Sequence, residues 1–309
     1  NGIQELQEFE IAPYSDLAIY VRVFLPNQVF VRTHQNKFSQ ALNFNFNQWQ
    51  NEKGFKKFAS HFYNQTSFLI DRKIKRNGAN FDLNPFSKEE EELIGLNTNF
   101  RNSLFFNRGK QHHSTTYSFL LNENQNLLSV GSVAAKNQSH QLQYQHLVKK
   151  SWLFNFSGST TSTESTSENY PNRNFEIDGY QIEPKIGYLF SKNASWDIFY
   201  EFQQKENQIG AFETLKQTRL GTSFTFNSEK GFSMNGEFSM YNNTYDGNAL
   251  SAVGFQMLEG LQPGKNQTWR LLLQKNLTQY LDVNINYQGR NSETSKTIHT
   301  GNIQLRAFF

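Results

Sequence analysis

The run Ile182-Glu183-Pro184-Lys185-Ile186-Gly187-Tyr188-Leu189-Phe190, then Ser191-Lys192-Asn193-Ala194, then Ser195-Trp196-Asp197-Ile198-Phe199-Tyr200-Glu201-Phe202 contains the whole fold argument in miniature. Ile182, Ile186, Tyr188 and Phe190 alternate with residues that include Glu183 and Lys185. After a four-residue break, Trp196, Ile198, Tyr200 and Phe202 alternate with Asp197 and Glu201. Successive side chains on a β-strand point to opposite faces, so each segment reads as a strand with one apolar and one polar side. Ser191–Ala194 is short enough to make the two strands antiparallel neighbours.

The same period recurs along the chain. It appears at Phe38, Leu42, Phe44 and Phe46, at Phe58, Phe62, Phe68 and Ile70, and at Trp152, Phe154 and Phe156. Towards the end it returns at Trp269, Leu271 and Leu273 and at Leu281, Val283, Ile285 and Tyr287. No stretch keeps a helical period over three turns. The expected fold is all-β.

Composition narrows the kind of all-β protein. The 309 residues include 30 Phe, 13 Tyr and 4 Trp, yet the apolar set is only 37% and the chain is hydrophilic on average. No run of about 20 apolar residues exists, which excludes a helical membrane protein. The aromatic content excludes a disordered chain. Net charge is +3 with 18% charged residues, and no basic segment with interleaved aromatics suggests nucleic acid. The absence of Cys removes disulfides, thiol catalysis and thiolate metal sites together. The chain starts at Asn1-Gly2, which reads as a mature form or the C-terminal part of something longer.

A soluble sandwich and an outer-membrane barrel both fit alternating strands. The connections separate them. Short breaks at 51–54, 107–111, 149–150, 191–194, 227–230 and 276–279 alternate with longer ones at 76–92, 124–136, 160–174, 206–210, 245–265 and 291–296. Outer-membrane barrels join their strands by short periplasmic turns and longer outer loops. The expectation is therefore an antiparallel transmembrane outer-membrane β-barrel. Its strands lie near 38–49, 55–73, 93–106, 112–123, 137–148, 151–160, 175–190, 194–205, 211–226, 231–244, 265–276, 279–290 and 297–309. Single-chain bacterial barrels have even strand numbers, so 17–24 supplies one more and brings the count to about fourteen. The alternative is one part of a larger barrel with further strands upstream. Residues 1–16 are then a periplasmic lead-in and 17–309 the barrel, with both termini periplasmic.

The last strand ends Ile303-Gln304-Leu305-Arg306-Ala307-Phe308-Phe309. Ile303, Leu305 and Phe309 share one face, the pattern of a closing strand read by the outer-membrane barrel-assembly machinery. Met257-Leu258-Glu259-Gly260-Leu261-Gln262-Pro263-Gly264-Lys265, Thr300-Gly301-Asn302 and Leu305-Arg306-Ala307-Phe308-Phe309 together resemble the C-terminal barrel of large flavobacterial outer-membrane proteins. Asn- and Phe-rich strands also suit Bacteroidota. The resemblance implies a barrel behind a long N-terminal region, and it carries no residue-level role.

If the aromatic face meets lipid, the other phase lines a lumen. It holds Arg101, the pair Glu183 and Lys185, and then Glu201, Arg219, Glu237, Arg270, Asp282 and Arg306 on successive strands. Signs alternate at similar heights, so cross-strand pairing is expected. A porin-like constriction would segregate acids from bases; interleaving favours an ion-pair network. The loop 245–265 carries Leu250, Val253, Phe255, Met257, Leu258 and Leu261, unusually apolar for a solvated loop. Docking of a partner protein is the first expectation for it, ahead of inward packing or an extra strand pair.

Chemistry is sparse. His112 and His113 point to opposite faces, the acidic run 89–92 reads as a solvated loop, and the catalytic and phosphate-binding motifs are absent. No cofactor or metal and no enzymatic activity are expected. The function reading is a subunit or scaffold of a cell-envelope complex for export, assembly or uptake. Its partners would be outer-membrane lipids and lipopolysaccharide, the assembly machinery, and envelope proteins bound through the outer loops. A diffusion pore or active-transport channel is the alternative.

Overall fold

The computed structural model describes residues 12–13, 17–20, 31–76, 84, 93–109, 112–128, 131–228, 231–278 and 280–307. Thirteen strands follow one another: β1 (Thr33–Asn45), β2 (Phe62–Lys75), β3 (Leu93–Phe106), β4 (His113–Leu128), β5 (Gly131–Val148), β6 (Trp152–Ser167), β7 (Phe175–Ser191), β8 (Ala194–Asn207), β9 (Thr214–Ser228), β10 (Phe232–Asp246), β11 (Gly264–Thr278), β12 (Leu281–Ser292) and β13 (Ile298–Ala307). Two short helices, α1 (Phe55–Ala59) and α2 (Ala252–Leu258), sit in connections. All thirteen strands form one antiparallel sheet in chain order. Inner strands are hydrogen-bonded on both sides, so the fold settles its backbone polar groups without needing a covering layer.

Register carries the alternation seen in the sequence across the whole sheet. Trp152 faces Tyr188, Tyr188 faces Trp196, and Trp196 faces Phe224, so the aromatic residues of four strands share one side. Ile198 on that side is 47% exposed, whereas Glu201, Gln217, Ser239 and Asn266 on the other are buried. Along β6 the apolar residues Trp152, Phe154 and Phe156 are exposed and the polar Asn155 and Ser157 between them are partly shielded. Among the described residues no second layer lies over these polar residues. A shielded polar side without a covering layer, beside an exposed apolar side, is the arrangement of a sheet curled with its polar side concave, the inverse of a soluble core.

Two small apolar clusters complete the fold. Ile177, Leu215, Val253, Met257 and Leu258 lie where α2 meets the concave side of the sheet. Ile70, Ile74, Leu93 and Leu96 lie on β2 and β3.

Each of the thirteen expected strands from residue 38 onward has a counterpart, but two expectations need correcting. Leu17–Tyr20 form no strand, and 21–24 lie outside the described residues, so the sheet has thirteen described strands rather than fourteen. The expected periplasmic lead-in and both termini fall largely on residues outside the described ones. The strict short–long rule also fails twice. Around the short turn expected at 51–54, residues 46–61 hold a 3-10 turn (Asn47–Trp49) and α1, while β4 and β5, expected to flank a long loop, are joined through 129–130 alone. Phe58 and Phe62 explain the first miss, because a spacing of four satisfies both the helical and the two-residue period. The second arises because β4 and β5 run on through 124–128 and 131–136, where apolar and polar residues do not alternate and the period carries no signal.

Candidate functional site

The concave side of β7–β12 is the most organised part of the molecule, and β9 displays its layers in order. From the end that carries α2 inward, Leu215, Gln217, Arg219 and Gly221 occupy successive concave positions. Leu215 is fully buried against α2. Gln217 donates its amide to Asn243 Oδ1 at 2.9 Å, both side chains being buried. Arg219 bonds Glu201 on one side at 3.2 Å and Glu237 on the other at 2.5 Å, while its Nε reaches Ser239 Oγ at 3.1 Å. The Phe199 ring lies over Gly221, where a Cβ would meet it at 2.3 Å, and the guanidinium of Arg219 stands 4.6 Å from that ring's centroid. Gly221 is therefore small so that Phe199 can lie flat, and Phe199 in turn supports the cation.

The expected charge ladder is realised in part. Glu201 faces Arg219, Glu237 faces Arg270, and Asp282 faces Arg306 in register. Glu183 and Lys185, two apart on β7, approach to 3.7 Å. Only the Glu201–Arg219–Glu237 triad spans strands as ion pairs; among the described residues Arg270, Asp282 and Arg306 close none. The heights counted from the turns do not coincide between pairs, because Arg219 is level with Tyr241, four residues beyond Glu237. Arg219 bridges that stagger diagonally. Charges that lack such a diagonal partner stay open on the concave wall.

Above this layer the connection 247–263 folds inward. Its helix α2 is capped by Ser251, whose side chain accepts from Gly254 N at 3.0 Å, and ends on Glu259 in the left-handed conformation. Val253, Met257, Leu258 and Leu261 are buried, Phe255 is half-buried, and Leu250 alone of the apolar set is 92% exposed. The docking role expected for Val253, Met257, Leu258 and Leu261 is thus corrected. Val253, Met257 and Leu258 pack with Ile177 and Leu215 of the chain's own sheet, the inward packing expected as the alternative, and Leu261 is buried as well.

Polar staples hold the lid from both flanks. Lys205 on β8 donates to Met257 O at 3.2 Å and pairs with Glu259 at 2.6 Å. Arg290 on β12 donates to Gly260 O at 2.9 Å. Asn243 and Asn266 both donate to Gln262 O, at 3.0 and 2.7 Å. Cations placed on the last carbonyls of a helix complement its dipole and satisfy otherwise orphaned acceptors. Lys205 and Arg290 were missed in the sequence because nothing in their strands marks them; only the folded lid does. Beside the lid, Glu237, Thr268, Arg270, Gln288, Arg290 and Thr300 border a cavity of about 230 Å³.

The remaining expected sites are quiet. Ile303 and Leu305 lie on the convex face at 69% and 65% exposure, and Phe309 lies outside the described residues. His113 bonds the Asn107 amide at 2.9 Å, and Asn107 bonds His61 at 2.6 Å. No group of three metal-ligating residues occurs among the described residues.

No family model and no curated protein matches the chain. Among solved structures it is similar to the beta domain of the Bordetella autotransporter Brka (7% identity, 80% of this chain and 92% of that one, TM-score 0.30). The translocator domain of autotransporter NalP from Neisseria meningitidis matches at 8% identity over 92% and 90%, also at a TM-score of 0.30. The transport unit of autotransporter AIDA-I from Escherichia coli matches at 9% identity over 93% of both chains and the same TM-score. Likenesses this distant assign no activity, and the functional reading rests on the chain's own geometry.

Proposed function

We propose that this chain is an integral outer-membrane β-barrel whose concave face is its lumen. It works without catalysis, as a subunit or scaffold of a cell-envelope complex for export, assembly or uptake. The observation that carries this reading is the inversion of polarity, with aromatic and aliphatic side chains outward over many strands and buried polar groups inward. On β7 the apolar stripe runs from Tyr180 to Phe190. At about 3.3 Å per residue and a tilt near 40°, it projects to roughly 25 Å, the height of an outer-membrane apolar band. Above it the convex face turns charged, with Glu123 facing Lys136, Lys136 facing Glu164, and Glu164 facing Glu176. Lipid is expected below that belt and water above it. The minimal turns then face the periplasm, and lipids, lipopolysaccharide and the assembly machinery are the expected partners. Outer-loop contacts with envelope proteins fall to residues other than the buried side chains of 247–263. The Bacteroidota origin rests on composition and the closing motifs alone.

Membrane integration is tested by expressing the chain in an outer membrane and extracting with urea and alkali. Retention in the membrane, with a heat-sensitive shift in gel mobility, supports the reading; release into the soluble fraction sinks it. A gated channel is the second reading, favoured by the open charges Arg270, Asp282 and Arg306. Planar-bilayer recording separates the two, since steady current from the unaltered chain would exclude a closed scaffold.

A further inference from the structure

We infer that the short-turn end of the sheet is a phosphate-headgroup contact surface, with 46–61 as an interfacial foot that binds anionic glycerophospholipids of the adjoining leaflet. The inference rests on the membrane reading above. Reversing an antiparallel pair takes two or three residues, and at this end β7 turns into β8 through 192–193 alone. The connection 46–61 is far longer than a reversal requires. It folds as two short helical turns in which Phe46 stacks on Trp49 at 5.2 Å. Phe58 rests on Phe62 and Phe106, at 5.2 and 6.3 Å, so the foot continues the convex apolar face. Phe55, three residues before Phe58 on the same helical side, is left 80% exposed. Lys53, Lys56 and Lys57 flank Phe55 and Phe58 in the chain and are exposed. Glu52, the acid beside them, meets Lys56 only at 3.9 Å in open solvent, which neutralises little.

The rest of the rim has the same character. Lys149 and Lys150 occupy the β5–β6 turn with φ of 50° and 61°. Such turns favour Asn-Gly because both central residues are left-handed. Two adjacent lysines there are unfavourable on both conformational and charge grounds, the kind of local conflict that function retains. Lys192 and Lys275 are exposed at the same end. Just inside this ring of cations lie Trp152, Tyr188 and Trp196, with Trp152 and Tyr188 in edge contact at 4.9 Å. Tryptophan and tyrosine concentrate at headgroup depth, which puts the lysines level with the phosphates. Juxtamembrane lysines of this kind are attracted by anionic lipid and screened by salt. The far end lacks this bias, since acids alternate with Lys136 there.

The test uses the full chain in nanodiscs of mixed phosphatidylglycerol and phosphatidylcholine, with native mass spectrometry counting retained lipids. The unaltered chain is expected to hold phosphatidylglycerol several-fold above its bulk share, the excess falling at high salt. The combined K56Q, K57Q, K149Q and K150Q variant should lose that excess, and Phe55→Ala should weaken lipid retention without changing which headgroup is preferred. Equal retention by the unaltered chain and the lysine variant, both with a heat-modifiable barrel, overturns the inference and leaves the membrane reading intact. Preference for lipopolysaccharide alone, or loss of an acidic co-purifying protein with lipid counts unchanged, overturns it too. A chain that enters no bilayer overturns the membrane reading itself.

Discussion

At the scale of single residues, Arg219 is the side chain on which the concave wall depends. Its partner Glu201 is almost fully shielded, with 8% of its side chain exposed, whereas Glu237 is 44% exposed. Removing the cation strands a shielded carboxylate; removing the exposed acid does not. Arg219→Met is therefore expected to cost about 2–4 kcal/mol, and Glu237→Gln less than about 1 kcal/mol. Urea unfolding in micelles measures both, and equal losses would argue against the triad as drawn. Gly221→Ala forces a methyl into the Phe199 ring and is expected to cost about 1–3 kcal/mol. The acids and bases of this wall were legible in the sequence as a phase of alternating sign. Phe199 and Gly221 were not, since a glycine's reason for being small appears only once register places a ring over it. Arg270, Asp282 and Arg306 had the same sequence signal as Arg219 and yet close no ion pair, because register alone does not supply a diagonal partner.

At the scale of elements, the connection 247–263 is a lid, and its apolar sequence fits either of two destinations, a partner or the chain's own sheet, of which the second is observed. An apolar loop seeks cover, and periodicity cannot say whether a partner or the chain's own sheet supplies it. Ser251 as cap and the following Ala252–Leu258 are a helix start visible in hindsight, but seven helical residues are too few to stand out as a period. The absence of cysteine allows an introduced Gln217→Cys to report on the lid. Gln217 is buried one layer below Leu215, so labelling by a membrane-impermeant thiol reagent should be slow. Adding Met257→Asp, which drives the lid off its apolar seat, should speed labelling by about tenfold or more, the factor that about 1.4 kcal/mol commands. Unchanged labelling would mean that the lid does not control access to this layer. Lys205→Ala combined with Arg290→Ala should act in the same direction more weakly, as both staple the lid's last carbonyls. The strands themselves were legible because lipid-type alternation is strict where one face is apolar. The start of β2 was not, since 55–59 are helical, nor were the outer extensions of β4 to β6, where apolar and polar residues no longer alternate.

At the scale of the whole molecule, thirteen described strands form a sheet whose apolar residues mostly point away from its shielded side, Ile70, Ile74 and Leu96 being a buried patch on the apolar face. A chain that is hydrophilic on average and dense in Phe needs such a separation, with one face for hydrocarbon and one for polar contacts. The order of the strands followed from the sequence because each connection is short enough to make sequential neighbours pair. The inward turn of the polar face followed too, from the alternation and the connections, whereas the stagger between strands did not, since no single strand records it. The most direct test of the central claim is a spin-label scan along β7 in lipid vesicles, with single cysteines from residue 180 to 190 and collision rates measured against oxygen and a water-soluble nickel chelate. A β7 with its apolar face in lipid gives a two-residue period, with positions 182 and 186 exposed to oxygen and positions 181, 183 and 185 protected from it. Loss of that period, or its inversion with the positions of Glu183 and Lys185 in lipid, would contradict it.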